Sequence, residues 1–510
     1  MSPVRQIKEG LPVHADVEDV GISGERANIL VICTDQLRAD ALGVHGHPII
    51  QTPQIDQLAM SGIRFEHAMS ECPVCCPARR ILMTGLDPYG IHMNINRDLQ
   101  PFPEGPKLAE LLSGAGYQTH GVGKMHTWPP RSRMGFDDIE INEEGRTAGH
   151  PIPDDYQQFL QEEGLGPIAH AHGLGNNQVG YRPSPVPEYA TSTGWTADRA
   201  MRFLRRRDPE RPFFLYVSFD KPHPPATPPA EYYDLYRDLE FPKPVEGDWC
   251  EHKPLARKAK MQRAHNWELF SGREDVNQQW QRGYAAMITH IDSRIGQILG
   301  TLREQGLDKN TWILFTSDHG DHSGDHGMVA KGDFLAGSCR IPLLLVPPDT
   351  ALSALDSSRI SQASMAPAGL ADLLPTLCEI SGASCPEQVV GQSLVPFLRE
   401  EAPNFREYSF GNVTSHYSAQ SQSHRYCWCS DTGYEYFFDL AADPKNVKDL
   451  SDTPELQELK QAHRAALMAW MEANADPCLA DGKLQTMEVK SNEDHLGMRV
   501  SHWNNRGWRG

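Results

Sequence analysis

A thiol near a helix entrance, carboxylates that close apolar runs, and a few cations and histidines are the residues of this chain whose types and spacing could do chemistry together. The thiol lies in Pro73-Val74-Cys75-Cys76-Pro77-Ala78-Arg79-Arg80-Ile81-Leu82-Met83-Thr84-Gly85. Pro77 suits the first position of a helix, where its missing N–H costs nothing. Cys75 then faces unbonded amides and the positive end of the helix dipole, a favourable place for an anion. Arg79, about one turn later, can reach back to that spot. Cys72 and Cys75 also form a C-x-x-C pair, which could be redox-active or bind zinc, but no second such pair accompanies it.

Asp35-Gln36 and Asp318-His319 supply mostly oxygen ligands plus one imidazole, a set that suits a hard divalent ion (Ca²⁺, Mg²⁺ or Mn²⁺) better than a thiolate-rich zinc site would. His319, His322 and His326 alternate with Asp318, Asp321 and Asp325. That run could hold a second metal, and a polar loop over a site has the same composition. The basic pieces are Lys124 and His126 at a strand end, His223 in Lys221-Pro222-His223-Pro224-Pro225, and Lys331 after the Asp/His loop. Taken singly, each reads as a surface lysine or a core histidine. Cys33, Cys339 and Cys378 sit in apolar runs and read as core.

The elements that must position these residues alternate. Asn28 to Thr34 is a continuous apolar run, as a strand buried on both faces requires. Tyr117 to Val122, Phe213 to Phe219, Trp312 to Thr316 and Pro342 to Val346 are further strands; Leu58 to Gly62 closes a short helix and Leu108 to Leu112 belongs to another. Tyr284, Met287, Ile288, Ile291, Ile295, Ile298 and Leu302 recur at helical spacing, a stripe that should pack on a sheet. This pattern predicts an α/β sandwich with a mainly parallel sheet, whose ligands sit beyond the carboxyl ends of the strands. Asp35, Gln36, His223 and Asp318 all fall just after strand runs, so one site could gather them.

After about residue 385 short strands at Arg406 to Val413, His424 to Cys429 and Tyr434 to Phe438, then a helix from Pro454 to Ala473, indicate a smaller α+β unit. The expected organisation is an arm at 1–26, a catalytic domain at 27–385, a subdomain at 386–476 and a tail at 477–510. The tail carries Trp503 and Trp508, which implies packing against another subunit, in a dimer or tetramer, or against the main domain.

A formal charge of −19 argues against nucleic-acid binding, which needs Lys and Arg to displace counterions. It does not exclude a small anionic substrate in a locally cationic pocket. The first 26 residues contain no signal-peptide-like apolar run, and no window approaches a membrane span. Eleven cysteines, an odd and scattered number, are expected to be mostly reduced, in a cytoplasm.

Cys75-Cys76-Pro77-Ala78-Arg79 followed by Leu82-Met83-Thr84-Gly85 resembles the signature of the type I sulfatases, the motif read by the formylglycine-generating enzyme. Gly116 to His126 resembles the second sulfatase signature, and Phe438-Asp439-Leu440 with Asp443-Pro444 and Leu450 resembles the family's C-terminal segment. The resemblance implies an alkaline-phosphatase-like α/β/α sandwich with a large mixed sheet, plus a C-terminal subdomain with an antiparallel sheet. It implies that Cys75 is oxidised to formylglycine (3-oxoalanine), and that Asp35, Gln36, Asp318, His319 and the modified Cys75 hold one divalent metal, Ca²⁺ or Mn²⁺ before Mg²⁺. One hydroxyl of the hydrated aldehyde then attacks a small anionic ester. In the mechanism that the resemblance implies, Lys124 and Arg79 neutralise the transferring group, His223 and Lys331 assist the leaving oxygen, and His126 deprotonates the second hydroxyl to expel sulfate. Asn96 matches a substrate-contacting asparagine of the phosphonate monoester hydrolase branch. The Asp-Gln and Asp-His pairs also look like that branch, so hydrolysis of phosphonate monoesters or phosphodiesters is the alternative to an arylsulfatase-like activity.

Overall fold

Strand order is what brings the distant carboxylates together. In the computed structural model, residues 26–97, 100–144, 154–169, 171–253, 273–400 and 404–487 are described. Most of the expected arm, and the tail beyond residue 487 with its two tryptophans, therefore lie outside the described residues.

The main sheet has eight strands: β1 (Asn28–Asp35), β2 (Ile63–Phe65), β3 (Gln118–Gly123), β4 (Asp138–Ile141), β5 (Phe213–Pro222), β6 (Thr311–Ser317), β7 (Leu343–Val346) and β8 (Ala363–Ser364). Their order is β4-β3-β5-β1-β6-β7-β2-β8. From β4 to β6 every pairing is parallel; β7 is antiparallel to both its neighbours, and β2 is parallel to β8. The apolar runs forecast five of these strands, whereas β2, β4 and β8 are too short or too polar to announce themselves.

Alternation along β1 feeds two separate cores. Ile29, Val31 and Cys33 point into one, shared with the helices Cys75–Thr84, Leu108–Gly114 and Leu373–Ser381. Leu30 and Ile32 point into the other, shared with Pro53–Met60, Ser192–Arg206 and Glu274–Glu304. The chain is thus an α/β/α sandwich. The whole stripe from Tyr284 to Leu302 is buried in the second core, as its spacing requires.

Four antiparallel strands, β9 (Ser409–Val413), β10 (His416–Gln420), β11 (His424–Cys429) and β12 (Glu435–Asp439), form a second sheet in the order β12-β11-β10-β9. The helix Gln457–Ala473 packs on it through Leu467 and Met471. This sheet is tied to the main body by Asn412 N–H to Glu71 O at 3.1 Å and by Arg425 Nη1 to Phe334 O at 3.1 Å. β10 was not foreseen, because His416-Tyr417-Ser418-Ala419-Gln420 lacks an apolar alternation.

Candidate active site

β3, β5, β1 and β6 are adjacent and parallel, so their carboxyl ends open onto one rim. Residues in or just after those ends are Lys124, His223, Asp35 with Gln36, and Asp318 with His319. The β1–β6 register pairs Thr34 with Ser317, and Asp318 N–H donates to Thr34 O at 3.1 Å, which sets the two aspartates side by side.

The backbone then turns sharply: Gln36 takes a left-handed φ of 70°, unusual for a residue with a Cβ. The turn is pinned from the long helix, where the Tyr284 hydroxyl donates to Gln36 O at 2.7 Å and accepts from Arg38 N–H at 3.1 Å.

Cys75 comes from the opposite layer. The helix runs from Cys75 to Thr84, two residues earlier than Pro77 alone implied, so Cys75 is its first residue and Pro77 its third. Proline is tolerated there because the first-turn N–H groups lack intrahelical acceptors. Asn96 Oδ1 accepts from Cys76 N–H at 2.9 Å, satisfying one of those donors from outside the helix.

Asp35, Cys75, Asp318 and His319 form a buried group whose ligand atoms lie within 4.8 Å of one another. Cys75 Sγ is 3.2 Å from His319 Nε2. Arg79 spans the group: Nε donates to Asp318 Oδ2 at 2.9 Å, and Nη1 to Lys124 O and Ser218 Oγ, both at 2.7 Å. Lys124 Nζ pairs with Asp35 and, at 2.9 Å, with Glu144 Oε2. Lys331 Nζ donates to Gln36 Oε1, while Gln36 Nε2 donates to Asp321.

The electrostatics follow from this packing. Burial pushes the Asp35 carboxyl up, but Lys124, His223, Arg79 and His319 outweigh it and hold it well below the usual carboxylate range. Burial and the neighbouring Asp35 charge push Asp318 up. Burial and Asp35 also oppose a thiolate at Cys75, yet Lys331, Lys124 and His319 prevail and draw the thiol well down. Two carboxylates confined with a sulfur anion repel one another, and a divalent cation among them relieves that repulsion. The buried carboxylates and imidazole therefore fit a hard metal ion, and the clamped Gln36 carboxamide could add a neutral oxygen.

His322 and His326 are not in that group. His322 Nε2 bonds Asp333 Oδ2 at 2.8 Å and His326 Nε2 bonds Lys445 O at 3.0 Å, so both brace the loop. Among the described residues no second group of metal-ligand side chains accompanies the first. His126 lies outside the group as well, its backbone left-handed (φ 57°) and its N–H donating to Glu143 Oε1 at 2.8 Å. His223 Nδ1 bonds Pro224 O at 2.8 Å and lies 3.6 Å from Glu144 Oε1. All eleven cysteines are free thiols, and Cys385 is the one that is exposed.

Sequence reasoning missed Glu143, Glu144 and Ser218, and read Asp321 as part of a run that either holds a second metal or forms a polar loop. The available signal for the glutamates was an acidic pair following β4, a strand too weak to be recognised.

The family profile for sulfatases matches residues 27–383. The chain belongs to the sulfatase family. This sulfatase also matches, over residues 324–473, the C-terminal profile of N-sulphoglucosamine sulphohydrolase. It is 32% identical to an arylsulfatase of Clostridium perfringens, over 90% of this chain and 97% of the relative. A choline-sulfatase of Rhizobium meliloti is 28% identical over 84% of this chain and 83% of its own. Trinickia caryophylli has a multifunctional alkaline phosphatase superfamily protein, PehA, 28% identical over 89% and 97%. Among solved structures, the phosphonate monoester hydrolase of Agrobacterium radiobacter superposes with a TM-score of 0.71 at 22% identity, covering 88% of this chain and 96% of its own, a likeness of fold. The chain is therefore a sulfuric ester hydrolase with an alkaline-phosphatase-like fold. Among the described residues no helix is long and apolar enough to cross a membrane.

Proposed function

We propose that this sulfatase hydrolyses small aryl or alkyl sulfate esters, using Cys75 after its conversion to formylglycine and one divalent metal ion, Ca²⁺, Mn²⁺ or Mg²⁺. The observation that carries the reading is Cys75 Sγ lying among Asp35, Asp318 and His319 with Arg79 bonded across them. When present, the cation would supply Lewis-acid polarisation and the hydrated aldehyde an oxygen nucleophile.

The chain's own residues account for the rest. Arg79 and Lys124, both wholly buried, face the rim with fixed positive charge and offset the charge of a sulfuryl group. Lys331, held against Gln36, and His223 are assigned to the departing oxygen. His126 is assigned the proton removed when sulfate is released. Asn96, bonded to the helix start beside Cys75, is assigned a contact with the substrate's anionic end. Maturation is assigned to a formylglycine-generating enzyme, and the protein to the cytoplasm as a homo-oligomer.

Mass analysis of the peptide carrying Cys75, from active enzyme co-expressed with a maturation enzyme, tests this reading. An aldehyde in place of the thiol is expected; full turnover by an intact thiol rules the chemistry out. Gln36, beside the buried Asp318–His319 pair, favours phosphonate monoesters as a second substrate class. Comparing kcat/KM on an aryl sulfate and on a phenylphosphonate monoester decides between them, with the sulfate expected to be preferred.

A further inference from the structure

One buried carboxylate on the rim lies between Lys124 and His223. Glu144 follows β4, and its side chain is only 3% exposed. β4 is parallel to β3, and Asn142 N–H bonds Gly123 O at 3.0 Å, so the residues after both strands emerge together. The next two glutamates then diverge. Glu143 turns back to accept from His126 N–H, while Glu144 adopts a left-handed φ of 53° with its N–H on Asn142 Oδ1 at 3.2 Å. Such a conformation is unfavourable for a residue with a Cβ, and it is kept where the surroundings over-determine it. Here it sends the Glu144 carboxylate between two cations, 2.9 Å from Lys124 Nζ and 3.6 Å from His223 Nδ1, each with a completely buried side chain.

We propose that Glu144 is a positioning residue for leaving-group protonation, one that holds His223 as an imidazolium with its transferable proton on Nε2. This rests on the sulfate-ester reading above. Nδ1 already donates to Pro224 O, so a second proton on the ring sits on Nε2. A fully buried imidazolium needs a counter-charge, and among the described residues Glu144 and Asp35 are carboxylates that face it, with Lys221 bonded to its carbonyl and Lys124 between the two carboxylates. Both carboxylates also pair with Lys124, and of the two Glu144 is the closer to the ring. In the reaction sulfur bonds to the attacking oxygen as its bond to the ester oxygen breaks, and the electron pair of the broken bond goes to the ester oxygen. The Nε2 proton passes to the same oxygen, so an alcohol or phenol departs and His223 is left neutral.

The test is a series of aryl sulfates whose phenols differ in acidity, run on matured, metal-loaded enzyme. A good leaving group needs no proton and a poor one does, so the loss must grow along the series. For Glu144→Gln, kcat/KM is expected to fall only a few-fold on 4-nitrophenyl sulfate and about 100-fold on phenyl sulfate. Glu144→Asp, which keeps the charge, is expected to recover most of the loss on phenyl sulfate. An equal loss on every ester, or Asp behaving as Gln does, overturns the proposal, because both describe a residue that merely supports the rim. A wild-type enzyme that leaves all sulfate esters intact overturns the sulfate reading and the proposal with it.

Discussion

The half of the site around Cys75 is carried by strand ends and a helix start, whereas in the half around His223, Lys331 and Glu144, His223 directly follows a strand and the other two lie on loops farther out. In the first, backbone hydrogen bonds of the sheet fix where each side chain begins: Asp35 and Asp318 are neighbours because β1 and β6 are. In the second, side-chain bonds do the fixing, through Lys331 to Gln36, Gln36 to Asp321 and Glu144 to Lys124. In the proposed reaction the first half holds the elements of metal binding and attack, which tolerate little displacement. The second is the half assigned to the leaving group, the part of a substrate that differs most among esters. Substrate preference is therefore expected to be tuned in the second half without disturbing the first.

Substitutions can break or sharpen that contrast. The largest effect is expected at Cys75: Cys75→Ala should lower kcat by about 10⁴-fold or more while urea unfolding stays as in wild type. A variant retaining wild-type turnover removes the first half's claim to the chemistry. Arg79→Ala should cost about 3–5 kcal/mol in urea unfolding of the metal-free protein, because it strips the partner from the buried Asp318. Added divalent metal should restore more stability to that variant than to wild type, since a cation can take over the lost counter-charge.

Asp321→Asn tests whether a loop brace serves the strand-end half. Its carboxylate holds the Gln36 amide nitrogen, which leaves the amide oxygen turned to the other side. Metal affinity measured by calorimetry should fall by about 10–100-fold. An unchanged affinity would show that the loop brace does not serve the strand-end half.

The smallest effect belongs to the scaffold. Asp292, on the long helix, accepts from Gln54 and Ile55 N–H at the start of another helix, and burial pushes its carboxyl up to about 7. A carboxyl raised above its unfolded value, about 3.9, binds its proton more tightly when folded. Its contribution is complete below that unfolded value and is lost as pH rises through about 7. Asp292→Asn should therefore gain stability relative to wild type between pH 4.5 and pH 7.5 in urea titrations, with kcat unchanged. A constant difference across that range discards the assignment.

Much of the first half was legible before any coordinates. Buried parallel strands appear as unbroken apolar runs, and a residue that closes such a run must emerge at the sheet's edge, so Asp35 and Asp318 could be placed from the chain alone. His322 and His326 were ambiguous because a ligand and a loop brace have the same composition; their bonds to Asp333 and to Lys445 O make them braces. Glu144 was not legible at all. It follows β4, whose Asp138-Ile139-Glu140-Ile141 is half polar and four residues long.

By itself the sequence determined the strands, the residues that end them, and the motif that sets Cys75 and Arg79 one helical turn apart. These are local properties, since hydrophobic periodicity and helix geometry act over a few residues. Only the tertiary structure decided that β3, β5, β1 and β6 lie side by side, that Gln36 is clamped between Lys331 and Asp321, and that Glu144 falls between Lys124 and His223. Those partners are separated by tens to hundreds of residues. Which of them meet depends on strand order and loop path, and no short-range preference encodes either.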